Sequence, residues 1–95
     1  MIRPFRGVHP QIHETAFIAD SAQIIGDVHI GKQASVWYGT VVRGDMFYIR
    51  IGDRTNVQDN CVLHTRTGEK PTILAAFDGK ADGRAHEIVV KVVAV

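Results

Sequence analysis

Residues 12–64 decide the fold. Divided before each recurring aliphatic residue, they read IHETAF-IADSAQ-IIGDVH-IGKQAS-VWYGTV-VRGDMFYIR-IGDRTN-VQDNCV-LH. The fourth residue after each of these aliphatics is usually small or β-branched. A period of six matches neither the 3.6-residue period of a helix nor the alternation of a strand. It is typical of hexapeptide β-helix repeats, in which each unit forms one face of a solenoid.

Three such units close one triangular turn, so residues 18 apart are expected to stack at the usual interstrand spacing. The spacing between Val42 and Ile51 is nine, three more than one repeat. We interpret the insert, within residues 44–50, as a bulge or short loop after which the register continues. The sequence thus predicts about three coils of parallel β-helix, in which Ile51 stacks on Ile30, Val57 on Val36 and Leu63 on Val42.

Alternation along each short strand predicts which side chains face inward. The repeating aliphatics and the small residues two places before them share the inside. Cys61 occupies an inward slot and is read as a buried, inert thiol, and as the single cysteine it excludes an intrachain disulfide. Several outward slots are apolar, which predicts a subunit interface. These are Ile25, Trp37, Val41 and Val62.

The two ends of the chain do not follow the repeat. Pro4, Gly7 and Pro10 predict an irregular lead-in over residues 1–11, and residues 65–72 read as a loop. From Leu74 onward the period is gone. We therefore divide the chain into a hexapeptide-repeat domain, residues 1–73, and a non-repeat tail, residues 74–95. The tail is either disordered or an added strand, since residues 87–95 have high β-propensity.

Composition excludes several classes of partner. Eleven Lys and Arg against ten Asp and Glu leave a net charge of +1, which gives no electrostatic reason to expect nucleic acid or an anionic membrane. No apolar run approaches the roughly 20 residues that span a bilayer. No apolar stretch follows the first arginine, so the N-terminus does not read as a signal peptide. A cytoplasmic location is the default expectation.

Four polar side chains form the candidate site. Arg43, Gln58 and His64 each follow an inward aliphatic directly and therefore point outward, and Asp45 lies where the chain turns. Arg43 and His64 are expected one coil apart on one face, with Gln58 on the adjoining face. Taken alone, Arg43 and Asp45 could be a surface ion pair, which contributes little. Gln58 could be a solvated side chain, and a lone histidine is not a metal site.

A resemblance favours the functional alternative. Residues 35–45 read SVWYGTVVRGD and residues 51–64 read IGDRTNVQDNCVLH. Over about residues 3–73 the chain resembles the γ-class carbonic anhydrase-like family of hexapeptide-repeat proteins. The resemblance implies an all-β, left-handed parallel β-helix and a homotrimer. It also implies zinc, or another divalent metal, between subunits.

The resemblance also implies roles and an activity. His64 matches the first metal-ligand histidine, Arg43 and Asp45 match the pair that structures the site and its interface, and Gln58 matches the residue that orients the metal-bound water. The implied reaction is that of a lyase, reversible hydration of CO2 to bicarbonate. It uses a zinc with three histidines and an open fourth position.

The chain departs from the family after the loop. There the family has another Ile-Gly repeat and a Gly-His pair followed by a second histidine. Here Ile73 precedes Leu-Ala-Ala-Phe, and His86 is the one histidine downstream. Two of three metal ligands therefore have no match.

Three hypotheses remain: a zinc-dependent carbonic anhydrase with an incomplete site, a non-catalytic β-helix scaffold or remnant, and a hexapeptide acyltransferase, whose acyl-CoA and catalytic histidine motifs are not recognisable.

Overall fold

The computed structural model describes residues 1–65, 72–74 and 88–90, and these are built from strands and turns. The strands are β1 (Ile2–Arg3), β2 (Gln11–Ile12), β3 (Phe17–Ile18), β4 (Gln23–Ile30), β5 (Ser35–Val36), β6 (Val41–Ile51), β7 (Thr55–Val57), β8 (Val62–His64), β9 (Thr72–Leu74) and β10 (Ile88–Val90). Every pairing between these strands is parallel. The described residues include no helix that could cross a membrane.

The strands stack into three ladders, one for each face of a prism. The first ladder stacks β1, the start of β4, the start of β6, and β8. The second stacks β2, the end of β4, the end of β6, and β9. The third stacks β3, β5, β7 and β10. The long strands β4 and β6 each pass from the first face to the second, so the prism is a β-helix of about three turns.

The core lies inside the prism, where the six-residue period places it. Ile24, Val36, Val42 and Val57 are fully buried, and the Cys61 thiol is buried, as predicted. The predicted stacking of Ile51 on Ile30, Val57 on Val36 and Leu63 on Val42 is confirmed. Burial of these apolar side chains, at roughly 25 cal/mol per Å2 of area removed from water, is the main stabilising contribution.

The corners of the prism are held by side chains from adjacent layers. The Thr15 hydroxyl accepts a hydrogen bond from the Gln33 N–H at 2.9 Å. The Asp53 carboxylate accepts one from the Lys32 N–H at 2.8 Å. Because turn amides lie outside the ladders, such acceptors satisfy donors that would otherwise depend on water. The turns are therefore tied to the neighbouring layer, which holds the outward side chains in register.

The predicted insert is a bulge within β6. Gly26 pairs with Gly44 and Val28 pairs with Ile49, so residues 45–48 lie opposite Asp27 alone. Both sides of the bulge remain in the ladder, and β6 continues without a break from Val41 to Ile51. We name residues 45–48 the bulge. Its first residue is Asp45, which places one of the predicted site residues at an irregularity of the sheet.

Some of the described residues near the two ends form strands outside the six-residue period. Residues 1–11 are not wholly irregular, since Ile2–Arg3 pairs with β4 and extends the first ladder. Thr72 is not in a loop but begins β9, and Leu74 stacks on Ile51 although the six-residue period has ended. In the tail, Ile88–Val90 forms an added strand on β7. Parallel pairing to an existing ladder extends the β-helix here without the sequence period that marks the earlier turns.

Candidate functional site

The outer surface of the first ladder brings Arg43 and His64 together. Val42 and Leu63 point into the core from paired positions on β6 and β8, so the residues after them point outward. Arg43 and His64 are themselves partners in the parallel pairing. About two-fifths of each side chain is exposed. The site is thus on the outside of the prism and open to solvent, as the alternation predicts.

Asp45 joins this pair from the start of the bulge. Arg43 donates to Asp45 Oδ2 from Nη2 at 2.8 Å and from Nε at 3.2 Å. His64 Nε2 lies 3.9 Å from the other carboxylate oxygen, Oδ1, which is too long for a hydrogen bond. The Asp45 side chain is only 11 % exposed, and its Oδ1 atom is buried without a hydrogen-bond partner. The carboxylate is therefore held by the arginine with one oxygen directed at the histidine side.

The pKa of Asp45 is lowered from the usual aspartate value by its surroundings. Burial of the carboxyl group acts in the opposite direction and raises the pKa. The hydrogen bond and positive charge of Arg43 outweigh it, with a smaller contribution from His64. Asp45 is consequently an anion at neutral pH, and the pair is a charged, hydrogen-bonded unit.

The direction of this shift predicts how stability depends on pH. A carboxyl whose pKa is lower in the folded state stabilises the fold above its unfolded-state pKa, and the contribution is lost as the pH falls through the folded-state pKa. We therefore expect the free energy of unfolding to fall further between pH 6 and pH 3 in the wild type than in Asp45→Asn. Urea unfolding at both pH values measures this. Exposed Asp20→Asn is the control and should behave like the wild type, whereas equal losses in wild type and Asp45→Asn would contradict the prediction.

Gln58 lies apart from the other three predicted residues. It follows β7 on the third ladder, and its side-chain amide donates to the Asn56 side-chain oxygen. Its backbone carbonyl accepts a hydrogen bond from the buried Thr40 hydroxyl at 2.6 Å. Within one protomer the structure therefore brings together Arg43, Asp45 and His64, and it places Gln58 on the adjoining face, as the sequence analysis expects.

Residues that shape the bulge were missed by sequence reasoning. The buried Thr65 hydroxyl bonds both the N–H and the C=O of Phe47, at 2.9 and 3.1 Å. Arg50 donates to Asp27 Oδ1 at 2.9 Å. The spacing of 18 residues between Phe47 and Thr65 repeats the coil length and could have indicated the first contact. No pattern in the sequence indicates the second, because it crosses the insertion.

The metal implied by the resemblance can be tested against these side chains. The unpartnered, ionised Asp45 Oδ1 beside His64 is suited to a cation. However, catalytic zinc takes three protein ligands and an open position. Within residues 1–65, 72–74 and 88–90, no group of three His, Cys, Asp or Glu side chains could hold a metal ion. A three-histidine zinc therefore does not fit the described residues of one protomer.

Several proteins of similar sequence are carbonic anhydrases. The carbonic anhydrase of Geobacillus kaustophilus is 45 % identical over 89 residues, which cover 94 % of this chain and 46 % of that protein. The mitochondrial gamma carbonic anhydrase 1 of Arabidopsis thaliana is 51 % identical over 55 residues, 58 % of this chain and 20 % of that protein. No protein-family model matches the chain.

Solved structures agree on the fold. A hexapeptide transferase family protein from Anaplasma phagocytophilum superposes with a TM-score of 0.74 at 52 % identity, over 79 % of this chain and 43 % of that one. The chain spans less than half the length of the Geobacillus and Anaplasma proteins. The left-handed β-helix predicted from the resemblance is confirmed as the fold class. The resemblance of the chain to the γ-class carbonic anhydrase-like family of hexapeptide-repeat proteins is thus confirmed over most of its length.

Proposed function

We propose that this chain contributes part of a site for the reversible hydration of CO2, formed between subunits, and that the site is incomplete in the chain as described. The observation that carries the proposal is the Arg43–Asp45–His64 cluster, in which the arginine fixes an anionic carboxylate with one unpartnered oxygen 3.9 Å from the histidine. The carbonic anhydrases of Geobacillus and Arabidopsis support the chemistry. Zinc or another divalent metal is the proposed cofactor.

Each residue has a proposed part in this site. His64 would be the metal ligand, because its imidazole is outward and open to solvent. Arg43 keeps Asp45 ionised and oriented, as the two hydrogen bonds to Oδ2 support. Gln58 is proposed to act on the substrate or water from a neighbouring face. Three imidazoles do not converge within the described residues, so these residues alone would not complete a three-histidine zinc site.

Zinc content and CO2 hydration test the proposal together. With one imidazole per chain in the described site, we expect less than one zinc per chain after dialysis and CO2 hydration close to the uncatalysed rate. His64→Ala should weaken the remaining zinc binding by at least about tenfold, the scale on which loss of a zinc-site contact acts. Zinc is measured by atomic absorption and hydration by stopped flow. The exposed His9→Ala is the matched control and should retain the wild-type zinc content.

Two results would change the proposal. Stoichiometric zinc, with hydration activity that His64→Ala abolishes, would show that residues outside the described ranges complete the site. The site would then be complete. Residual zinc binding that is equal in wild type and His64→Ala would show that His64 is not a ligand, and the chain would then be a non-catalytic β-helix scaffold.

We propose a homotrimer as the assembly that brings such half-sites together. Support comes from apolar side chains on the first ladder beside Arg43: Ile25 and Val41 are half-buried, and Val62 is 50 % exposed. We expect sedimentation equilibrium at micromolar concentration to give three times the chain mass of 10.5 kDa. Val62→Asp should shift the protein to monomer, because burying an unpaired carboxylate is unfavourable.

The control for this experiment is Val8→Asp, since Val8 is 46 % exposed but lies on the N-terminal turn. It should leave the mass unchanged. A monomer mass for the wild type would contradict the trimer. Trp37, on the third ladder, was predicted from the sequence to share the interface, and Trp37→Ala with a wild-type mass would remove it from that surface.

Acyl transfer is the second candidate, favoured by the similarity to the hexapeptide transferase family protein from Anaplasma phagocytophilum. Acyl-CoA is anionic, and Arg43, although paired with Asp45, is a partly exposed cation beside a histidine. Titration calorimetry with acetyl-CoA tests this function. Heat of binding that is abolished by His64→Ala would favour acyl transfer over CO2 hydration.

A further inference from the structure

The bulge joins the first ladder, which carries Arg43 and His64, to the second ladder. Residues 45–48 oppose Asp27 alone, so the bulge has three residues more than the strand opposite it. Bulges of this kind re-aim side chains, and they are frequent next to active sites. Here the first residue of the bulge is Asp45, whose carboxylate meets Arg43 and His64. The path of the bulge therefore determines where that carboxylate lies.

One side of the bulge faces an open groove. An open groove of about 370 Å3 separates it from the turn at Phe5, Arg6 and Val8. Met46 is 55 % exposed and Phe47 is 38 % exposed. At Met46 and Phe47 the bulge is thus less buried than the strands on either side of it, so polar contacts contribute more to its path.

Arg50 makes such contacts from the end of the bulge. Its Nη1 atom donates to Asp27 Oδ1 at 2.9 Å and to the Ile49 carbonyl oxygen at 3.1 Å. Its guanidinium carbon lies 4.5 Å from the centroid of the Tyr48 ring, within cation–π range. Arg50 thereby joins the last residue of the bulge to the one residue opposite it. Only about a third of the side chain is exposed, which strengthens the charged hydrogen bond.

Contacts with adjacent layers complete the restraint. Thr65, one layer further on, bonds Phe47 through both backbone groups. At the other end, Gly44 lies against Asp27 so closely that a Cβ atom on Gly44 would be 2.5 Å from the Asp27 carbonyl oxygen. The bulge is therefore tied at its entry, middle and exit, and Asp27 takes part at two of these three points.

We infer that Arg50 is a positioning residue for the proposed site: through Asp27 and Tyr48 it holds the bulge so that the Asp45 carboxylate is presented to Arg43 and His64. The inference rests on the proposed function for its significance, but the contacts of Arg50 with Asp27 and Tyr48 do not involve the metal. Arg50 itself is on the second ladder and contacts none of the three site residues through the bonds described above. It would act only through the backbone of the bulge.

The Arg43 Nε–H group reports on this arrangement directly, because it donates to Asp45 at 3.2 Å. In Arg50→Gln we expect its exchange with water, measured by 15N NMR, to accelerate by about tenfold as the bulge opens locally. Arg50→Lys should recover part of the protection, since lysine keeps a charge for Asp27 but not the planar contact with Tyr48. The Trp37 indole N–H, which donates to Ser35 at 3.0 Å on the third ladder, should be unchanged.

Arg3→Gln is the matched control, because Arg3 also donates to a side chain of an adjacent layer, Gln23 in the following turn, but lies far along the chain from the bulge. It should leave the Arg43 signal as in the wild type. Unchanged Arg43 exchange in Arg50→Gln would overturn the inference. A second variant, Tyr48→Leu, gives a further test. If both Arg50→Gln and Tyr48→Leu lost the Arg43 and the Trp37 signals together, the inference would also be overturned, because Arg50 would then support the whole fold rather than the site.

Tyr48→Leu keeps the ion pair of Arg50 with Asp27, and the same two signals decide its outcome should Arg50→Gln fail to fold. Accelerated Arg43 exchange with a retained Trp37 signal supports the inference in either variant. The experiment requires neither zinc nor CO2. Failure of zinc binding or hydration would therefore overturn the proposed function while leaving the positioning role of Arg50 as measured.

Discussion

Replacing Gly26 by alanine is expected to destabilise the protein by about 2–5 kcal/mol, combining a backbone strain of about 1–2 kcal/mol with overpacking of about 1–3 kcal/mol. Gly26 has a φ of +78°, which L-residues rarely adopt. A Cβ atom there would also lie 2.6 Å from the carbonyl oxygen of Gly44 in the next layer. That oxygen belongs to backbone paired within the first ladder, so it cannot move aside without disturbing the entry to the bulge.

Gly7→Ala separates the two contributions. Gly7 has nearly the same φ, +79°, but a Cβ atom there would meet nothing within 4 Å. We expect it to cost only about 1–2 kcal/mol, the backbone contribution alone. Urea unfolding followed by circular dichroism measures both variants. Equal destabilisation by Gly26→Ala and Gly7→Ala would show that the two layers are not in the close contact described.

Truncation of the core at Ile24 should have a similar effect. Ile24 is fully buried between Ile2 and Val42 in the first ladder. We expect Ile24→Ala to reduce the free energy of unfolding by about 3–4 kcal/mol, through lost apolar burial and the cavity left behind. The rigid prism limits the collapse of that cavity, because its backbone is paired to strands on both sides.

Ile2→Ala is the matched control, since Ile2 is the direct partner of Ile24 in the ladder but is 51 % exposed. The same change should cost less than about 1.5 kcal/mol there, the scale of burying only part of a side chain. Both values come from urea unfolding under identical conditions. A cost for Ile2→Ala equal to that for Ile24→Ala would contradict a core confined to the inside of the prism.

Most of the fold could be predicted from the sequence because the core is built from one short repeat along the chain. A single period decides which side chains face inward, and this places Ile24, Val36 and Val57 correctly without any long-range information. The period fails where pairing alone extends the structure. Leu74 stacks on Ile51 across a segment without the repeat, and Ile2–Arg3 joins the first ladder from a proline-containing lead-in. Backbone hydrogen bonds between strands do not depend on side-chain type, so the sequence pattern does not indicate them.

The candidate site could be predicted only in part for a similar reason. Arg43 and His64 follow from the period, because both are one residue past an inward aliphatic. Asp45 was expected near the turn, but its burial and its unpartnered oxygen depend on the path of the bulge. That path depends on Arg50 and Thr65, which contact the bulge from two different layers. No local pattern carries such contacts.

The bulge has a further consequence for how the coils close. Val42 follows its partner Ile24 by 18 residues, and Leu63 follows its partner Val42 by 21, because of the three extra residues. The entropy of closing a chain segment grows only with the logarithm of its length, so the longer coil costs merely about 0.1 kcal/mol more to close. Loop-closure entropy therefore places little constraint on the length of the corner that presents Asp45, whereas the contacts of Arg50 and Thr65 depend on its path.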